Sequence, residues 1–277
     1  MTPVRVGLCF EYRLLFSRRV RHSLESLDIL IFPELLDGGY GGSKRRINTH
    51  HPGDPLISDF VTASMTLPCY IIAGSISYVD HGGLRTNTSL VFYQGRLVHR
   101  YDKIHLFKPS GDDRLFTPGS SVRPFVLNVG GMRLRAGVVI CYDIRFPELV
   151  RSLAQQGVRI LFVPARWPVR RNEAWQTLLK ARAIENQIFV IGCNARGPEG
   201  GISYAFDPLG KRIVQSRSKA TTQLVAFDLD LEALATSRTL HSNLDDAVLL
   251  RERTPIRQLK IRPARRGRVL PRRAIAG

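Results

Sequence analysis

Short, continuous apolar runs constrain the fold of this chain more than any other feature of its sequence. Residues 29–32, 136–140 and 160–163 contain no polar side chain. Runs of this length and composition are typical of strands buried on both faces, which requires a sheet that is covered on each side. The sequence therefore predicts sheets packed between other layers of structure.

Turn and helix signals lie between these runs. Gln94-Gly95 and Gly130-Gly131 are typical of tight turns in hairpins, and helices are predicted from about Asp54 to Thr66, from Pro147 to before Gly157, and from Asn172 to Asn186. Hairpins pair strands antiparallel, whereas alternating strands and helices pair them parallel. Because both patterns occur here, we expect an α/β fold with mixed sheets. Strands are predicted at residues 4–10, 29–32, 70–77, 89–93, 97–100, 125–129, 132–134, 136–140, 160–163, 189–193, 203–206, 211–214 and 223–228.

The length and composition favour a single domain with one large hydrophobic core. The chain has 277 residues, of which 44% are hydrophobic, and neither a repeat nor a low-complexity linker divides residues 1–250. No apolar run approaches the roughly 20 residues of a membrane-spanning helix. Residues 1–10 alternate as a strand does and lack the apolar stretch of a secretion signal. We expect a cytoplasmic protein that does not enter a membrane.

The cysteines and histidines indicate neither a metal site nor a disulfide framework. The cysteines Cys9, Cys69, Cys141 and Cys193 form no Cys-x-x-Cys pair, and the seven histidines are not clustered at metal-ligand spacing. Three of these cysteines lie in apolar segments, where a thiol usually acts as a small buried hydrophobe. We expect no metal and no other cofactor.

The positive charge is concentrated at the C-terminal end. The formal net charge is +18, and residues 251–277 contain ten basic residues and one acidic residue, which is half of that excess. Such an extension is usually solvated or packed on a partner subunit. It is also suited to phosphate contacts with nucleic acid, although it has no aromatic residue on which bases stack. The missing aromatic residues weigh against nucleic acid as a partner, and the basic extension leaves it open.

Three reactive side chains each follow an apolar or strand-like segment. Glu34 follows residues 29–33, Lys103 follows Tyr101-Asp102, and Cys141 follows residues 136–140. Thiol attack on a carbonyl or nitrile carbon needs a nucleophile, a group that accepts and returns its proton, and a cation where negative charge develops. A cysteine, a glutamate and a lysine fill those three roles.

The sequence motifs around these residues resemble those of the nitrilase superfamily of carbon-nitrogen hydrolases. They are Pro33-Glu34, Lys103-Ile104-His105-Leu106-Phe107 and Cys141-Tyr142-Asp143-Ile144-Arg145-Phe146-Pro147-Glu148, and the similarity extends over roughly residues 3 to 250. The resemblance implies an α-β-β-α sandwich of two mixed sheets. It also implies a Glu34, Lys103 and Cys141 triad, with residues 1–250 as the hydrolase domain and 251–277 as a basic extension.

The same resemblance gives expectations for the surrounding residues. Lys103 and the backbone N–H of Tyr142 are expected to stabilise the tetrahedral intermediate. The family often has a second glutamate about nine residues after the lysine, and this chain has Asp112 there, one methylene shorter. Tyr40, Arg166 and Trp167 fall where the family builds its substrate pocket, although Trp167 is equally suited to core packing.

Three further residues near these motifs are expected to be structural. Asp143 is suited to fixing the turn after Cys141, Arg145 to pairing with Glu148 or another acid, and His105 to a hydrogen bond in the interior. No feature of the sequence pairs His105 with Cys141.

The function expected from this resemblance is hydrolysis of a small carboxamide, as in the ω-amidase branch, by way of a thioester. Arg166 and other basic residues near the pocket favour a substrate that bears a carboxylate. N-carbamoyl hydrolysis, nitrile hydrolysis and acyl transfer remain open, since the thioester is common to them. A non-catalytic scaffold that binds polyanions through residues 251–277 is the alternative from another class. The resemblance also implies a homodimer or a higher homo-oligomer.

Overall fold

The computed structural model describes residues 2–40, 47–197, 199–216, 223–240 and 242–247. Contacts between Cα atoms divide the chain into a unit spanning Met1–Asp246 and a second unit spanning Ala247–Gly277. The predicted basic extension, residues 251–277, lies outside the described residues. The first unit contains every element discussed below.

One mixed sheet is built largely from the first half of the chain. Among the described residues it has seven strands, in the order β13-β1-β2-β4-β5-β6, with β3 paired to β4. The β1–β2 and β2–β4 pairs are parallel, and the β4–β5 and β5–β6 pairs are antiparallel hairpins. Its strands are β1 (Val4–Cys9), β2 (Ile29–Ile31), β3 (Thr49–His50), β4 (Tyr70–Val79), β5 (Arg85–Tyr93), β6 (Arg96–Asp102) and β13 (Leu224–Leu229).

A second mixed sheet comes from the second half. Six strands of the described chain follow the order β12-β11-β10-β9-β8-β7. The β8–β9 and β9–β10 pairs are parallel, and the outer pairs are antiparallel. Its strands are β7 (Phe125–Val129), β8 (Met132–Val138), β9 (Val158–Ala165), β10 (Phe189–Asn194), β11 (Tyr204–Phe206) and β12 (Arg212–Gln215).

Helices cover the outer faces of both sheets. Alternate residues of the strands explain the layers: Ile29 and Ile31 pack in the core shared by the two sheets, and Leu30 packs with Phe60 of α2 on the opposite face. The result is the α-β-β-α sandwich that the sequence predicted. The helices are α1 (Arg21–Glu25), α2 (Pro55–Thr66), α3 (Asp112–Leu115), α4 (Pro147–Gln155), α5 (Asn172–Asn186) and α6 (Glu232–Leu240). No described helix is both long and apolar enough to cross a membrane.

Most predicted strands agree with the structure to within four residues at each end, and the larger differences concern β8, β3 and the segment after Cys141. The strands predicted at residues 132–134 and 136–140 are one strand, β8, which ends at Val138. Its exposed Arg133 and Arg135 alternate with half-buried Met132 and buried Leu134 and Ala136, which is ordinary alternation for a strand. The two-residue strand β3 was not predicted, and a 3-10 helix, Cys141–Arg145, precedes α4.

Candidate active site

Glu34 is the centre of a buried hydrogen-bond network. Its side chain is fully buried in the turn after β2. Its Oε1 accepts hydrogen bonds from Lys103 Nζ at 2.7 Å, Asn87 Nδ2 at 3.0 Å and the Tyr40 hydroxyl at 3.3 Å, and its Oε2 accepts one from the Arg166 backbone N–H at 3.0 Å. A buried carboxylate needs such partners to remain charged. The network fixes its orientation.

The turn that carries Glu34 rests on an irregularity in β4. The pairing of β4 with β5 shifts register between Ala73 and Ile76, and Gly74 has a φ of 28° there. The Pro33 carbonyl lies so close that a Cβ on Gly74 would be 1.9 Å from its oxygen. Ser75 then accepts a hydrogen bond from the Leu36 N–H at 3.0 Å through its carbonyl and one from the Leu35 N–H at 3.1 Å through its hydroxyl. Only glycine permits this close approach.

Lys103 lies between two buried carboxylates. Its Nζ donates to Glu34 Oε1 at 2.7 Å and to Asp112 Oδ2 at 2.8 Å, and all three side chains are buried. Burial disfavours the charged amine, but Glu34, Tyr40, Cys141 and Asp112 together raise the pKa of Lys103 well above its ordinary value. An ammonium has three donors. Two of them are used by these carboxylates, which leaves the third for another acceptor.

Asp112 is held at the start of α3. Its Oδ2 also accepts a hydrogen bond from the Phe107 N–H at 3.0 Å, and its Oδ1 accepts one from the Ser110 hydroxyl at 2.7 Å. Burial alone raises the pKa of Asp112, but the charge and hydrogen bond of Lys103, with the Phe107 and Ser110 bonds, outweigh burial and lower that pKa. The shorter aspartate therefore reaches the lysine directly.

Cys141 begins the 3-10 helix in a conformation that L residues rarely adopt. Its φ is +48°, and the turn is fixed by Asp143, which was expected to do so from its position. The Asp143 carboxylate accepts hydrogen bonds from the Ile140 N–H at 3.0 Å, the Tyr101 hydroxyl at 2.7 Å and the His105 N–H at 2.8 Å. Its Oδ1 also lies 2.9 Å from His105 Nδ1, so this histidine supports the turn. The surrounding network thus maintains a strained backbone.

The Cys141 thiol is close to the charges of both Glu34 and Lys103. Burial, the negative charge of Glu34 and a hydrogen bond with Glu34 raise the pKa of Cys141 well above its ordinary value, against the opposing effects of Lys103 and the Arg166 carbonyl. The thiol lies 3.9 Å from that carbonyl oxygen. These effects favour the protonated thiol, and the Glu34 carboxylate beside it is able to accept the proton.

Tyr142 occupies the first turn of the same 3-10 helix. A backbone N–H in the first turn of a helix has no partner within that helix. Its half-buried ring lies 4.9 Å from the ring of Phe107 and 5.4 Å from that of Phe146, measured between centroids. The aromatic contacts place Tyr142 on one side of the cavity next to Cys141.

Tyr40, Arg166 and Trp167 all line the same cavity. Arg166 serves Glu34 as well: its Nε donates to the Glu34 carbonyl and its Nη2 to the Leu35 carbonyl, each at 2.8 Å. These bonds direct the guanidinium toward the turn after β2. Trp167 is buried, its Nε1 donates to the Arg171 carbonyl at 2.9 Å, and its ring packs on Trp175, so it is both a wall and part of the core.

Sequence reasoning missed two residues of this site. Asn87 on β5 is fully buried and contacts both Glu34 and Lys103. Its side-chain amide donates to Glu34, and its backbone carbonyl accepts from the backbone N–H of Lys103 at 2.9 Å. Glu199 lies 3.5 Å from Arg166 Nη1 and accepts from the Tyr40 N–H at 3.4 Å. An asparagine in a strand flanked by polar residues gives no signal of such contacts. Glu199 lies in a loop with no recognisable motif.

The cavity has a volume of about 630 Å³ and combines a buried floor with a basic rim. Glu34, Lys103 and Cys141 lie at the floor. Five exposed basic side chains, which we call the rim cations, also line it: Lys108, Arg114, Arg145, Arg170 and Arg171. Arg145 was expected to pair with an acid, but its guanidinium lies 4.7 Å from the centroid of the Trp167 ring. Within the described ranges, none of the five makes an ion pair.

Comparison with protein families identifies one matching model. Residues 16–239 match the model described as carbon-nitrogen hydrolase. The matched range includes every residue of the buried network and all of the rim cations.

Individual relatives agree with that match. The chain is 35% identical to a "Hydrolase in agr operon" from Staphylococcus lugdunensis, over 73% of this chain and 88% of the relative. It is 31% identical to "Omega-amidase YafV" from Escherichia coli strain K12, over 84% and 88% of the two chains. A crystal structure from Xanthomonas campestris, described as a CN-hydrolase superfamily protein with an arsenic adduct in the active site, superposes with a TM-score of 0.78 at 25% identity and covers 90% of this chain and 99% of its own.

Proposed function

Because the chain belongs to the carbon-nitrogen hydrolase family of the nitrilase superfamily, we propose that it hydrolyses a small ω-amide through a thioester on Cys141. The observation that carries this proposal is the joining of Glu34, Lys103 and Cys141 in one buried network at the floor of a cavity. The similarity to an ω-amidase supports the choice of an amide over a nitrile.

The first half of the reaction forms the thioester. Glu34 accepts the proton of Cys141 as the sulfur attacks the amide carbon. The third donor of Lys103 and the Tyr142 N–H stabilise the oxyanion of the tetrahedral intermediate. Glu34 then returns the proton to the nitrogen, the C–N bond breaks, and ammonia leaves.

The second half releases the acid. A water molecule loses a proton to Glu34 and attacks the thioester carbon, and the resulting intermediate collapses as the C–S bond breaks. The proton returns from Glu34 to the sulfur of Cys141. Asp112 holds Lys103 through both halves, which is a positioning role. The same three residues, Glu34, Lys103 and Cys141, are also suited to N-carbamoyl hydrolysis or acyl transfer if the pocket admits a different substrate or acceptor.

The test is ammonia release from a panel of small amides by the wild-type chain and by Cys141→Ala. We expect Cys141→Ala to abolish release, and Glu34→Gln to reduce kcat/KM by about 100-fold or more, since general acid-base catalysis contributes about 10²–10⁴-fold. Cys69→Ala is the matched control, because Cys69 is a buried thiol that does not line the cavity. Ammonia release that persists in Cys141→Ala would contradict the proposal.

A direct observation of the intermediate complements the kinetics. Rapid acid quenching followed by mass spectrometry is expected to detect an acyl group on the peptide that contains Cys141. An acyl adduct on another residue and not on Cys141 would show that Cys141 is not the nucleophile. The cytoplasmic location and the homodimer remain predictions, and sedimentation of the purified chain as a monomer alone would overturn the second.

A further inference from the structure

The rim of the cavity carries more positive charge than hydrolysis of an amide requires. Of the residues that line the cavity, Lys103 is bound to Glu34 and Asp112, and Arg166 is bound to backbone carbonyls and lies near Glu199. The five rim cations remain, and as far as the chain is described none of them is neutralised by an acid. Unpaired charges of one sign around a cleft attract ligands of the opposite sign.

Two of the rim cations are held in a way that suits anion binding. The guanidinium of Arg145 lies 4.7 Å from the Trp167 ring centroid and 6.0 Å from that of Tyr142, and the guanidinium of Arg171 lies 5.4 Å from that of Phe107. An arginine over an aromatic face keeps its N–H groups free at the edge of the guanidinium plane. Those edges bind carboxylates in bidentate geometry, and the aromatic contact reduces the freedom lost on binding.

The two arginines lie on different elements of the rim. Arg145 ends the 3-10 helix that Cys141 begins, and Arg171 ends the 3-10 helix Val169–Arg171 that leads into α5. Lys108 and Arg114 flank the Asp112 turn, in a third segment. A single carboxylate places its charge at one point, whereas these cations belong to three segments. The volume of about 630 Å³ is within the range of pockets for ligands much larger than a short ω-amide.

We propose that the substrate is an ω-amide with at least two separate anionic groups, which are bound by Arg145, Arg171 and the other rim cations. This inference rests on the proposed function and specifies its substrate class. The reacting amide occupies the floor beside Cys141, and the anionic groups lie at the rim. Their carboxylates, or a phosphate in place of one of them, form charge-assisted hydrogen bonds with the guanidinium edges.

The test uses three amides with the same reacting end and different charge. N-succinamoyl-aspartate has two carboxylates, N-succinamoyl-alanine has one, and N-succinamoyl-ethylamine has none. We expect kcat/KM for ammonia release to rise with each carboxylate, by about tenfold or more per bidentate contact. The advantage of the aspartate derivative is expected to decrease as ionic strength rises, because added salt screens exposed charges.

Arginine variants assign that advantage to the rim. In Arg171→Gln and Arg145→Gln, the ratio of kcat/KM for the aspartate derivative to that for the ethylamine derivative is expected to fall about tenfold or more. Arg133→Gln is the matched control. Arg133 is an exposed arginine near the start of β8, at the opposite end of that strand from Cys141, and it does not line the cavity. It is expected to leave the ratio unchanged.

The possible outcomes separate the inference from the proposed function. Equal kcat/KM for the three amides, or a ratio that falls equally in Arg133→Gln, overturns the anionic-substrate inference and leaves the amidase proposal intact. A ratio that Arg171→Gln and Arg145→Gln do not change also overturns it. Absence of ammonia release from all three amides and from the wider panel overturns the proposed function, and the inference with it.

Discussion

At the scale of single residues, the site depends on a carboxylate that accepts more hydrogen bonds than catalysis alone requires. Glu34 is surrounded by four donors from four different segments of the chain. Each donor restricts the positions that the carboxylate occupies, and accurate placement of reacting groups contributes much of an enzyme's rate enhancement. Asn87, which donates to Glu34 but does not line the cavity, is therefore expected to affect turnover without contacting the substrate.

Asn87→Ala tests this positioning role. The change removes a 3.0 Å hydrogen bond to Glu34 and leaves the backbone bond to Lys103 in place. A hydrogen bond to a charged group contributes about 1.5–3 kcal/mol, so kcat is expected to fall about 10- to 100-fold with little change in KM. Steady-state kinetics on one amide measures both constants.

Ser89→Ala is the matched control for Asn87→Ala. Ser89 is also fully buried on β5, two residues further along on the same face, and its hydroxyl has no hydrogen-bond partner among the described residues. We expect this variant to retain the wild-type kcat. A KM that rises while kcat is unchanged in Asn87→Ala would assign Asn87 to substrate binding instead.

The protonation of Cys141 gives a second prediction at this scale. Burial and the negative charge of Glu34 raise the pKa of the thiol, so its thiolate is expected only at alkaline pH. Glu34→Gln removes that charge and the carboxylate acceptor, while Lys103, whose positive charge favours the thiolate, remains. The pKa of Cys141 is therefore expected to fall in Glu34→Gln, although kcat/KM falls as well.

Alkylation by iodoacetamide, followed by mass spectrometry of the Cys141 peptide, measures this shift. The pH at which Cys141 reacts half-maximally is expected to be lower in Glu34→Gln than in the wild-type chain. Cys69 is an internal reference, because burial raises its pKa to about 12. A shift of Cys141 to higher pH would mean that Glu34 does not interact with the thiol as described.

At the scale of elements, two strained turns bring the reactive groups together. Leu35, next to Glu34, has a φ of 45°, and Cys141 has a φ of 48°. Non-glycine residues in this region cost about 1–3 kcal/mol each and occur often at functional sites. The Glu34 turn is supported by β4 and the Cys141 turn by Asp143, so each strained turn depends on a neighbouring element.

Gly74→Ala tests the support of the Glu34 turn. The new Cβ would overlap the Pro33 carbonyl, and alanine also disfavours a positive φ. Because the backbone has to shift, we expect the free energy of unfolding to fall by about 2–4 kcal/mol. A displacement of Glu34 by about 1 Å is sufficient for about a 100-fold loss of kcat/KM. Denaturant unfolding and kinetics measure the two effects.

Gly53→Ala separates steric overlap from backbone strain. Gly53 has a φ of 86°, and a Cβ there would meet no atom within 4 Å. This control is expected to lose only the strain energy, about 1–2 kcal/mol, with unchanged kcat/KM. Equal kinetics for both variants would show that the close contact at Pro33 does not position Glu34.

The sequence predicted the elements better than the contacts between them. Apolar runs and glycine turns are local signals, so the strands, the hairpins and the helix after Cys141 follow from them. The 3-10 helix, Cys141–Arg145, lacks such a signal because its geometry depends on Asp143 bonding to Tyr101 and His105, which are 42 and 38 residues away. Asn87 was missed for the same reason, since its partner Glu34 is 53 residues distant.

The role of charged residues was the hardest to predict from the sequence. Arg166 was expected in the substrate pocket and does line the cavity, but nothing in the sequence indicated that its guanidinium also donates to backbone carbonyls of the Glu34 turn. Arg145 was expected to pair with an acid, but it packs on Trp167. The long arginine side chain reaches many partners, and the identity of its neighbours is set by tertiary packing. The resemblance therefore indicated basic residues near the pocket without indicating which of them have no acidic partner.

At the scale of the whole molecule, two groups of basic residues are distinct in the sequence. The rim cations surround the cavity of the unit that spans Met1–Asp246, and residues 251–277, outside the described residues, carry ten basic side chains. A rim that selects anions acts through short-range contacts within one cavity. A basic extension acts on any polyanion through sequence-independent phosphate contacts. The two sets of charges are expected to be separable.

Removal of residues 251–277 tests that separation. The truncation lowers the formal net charge from +18 to +9 and leaves the expected hydrolase domain, residues 1–250, intact. We expect unchanged Tm and unchanged kcat/KM on the amide panel, because the described core and cavity lie within Met1–Asp246. Salt-sensitive binding to a single-stranded oligonucleotide, if the full chain has it, is expected to disappear, while Cys141→Ala retains it. A large fall in Tm or in kcat/KM after truncation would instead make residues 251–277 part of the enzyme.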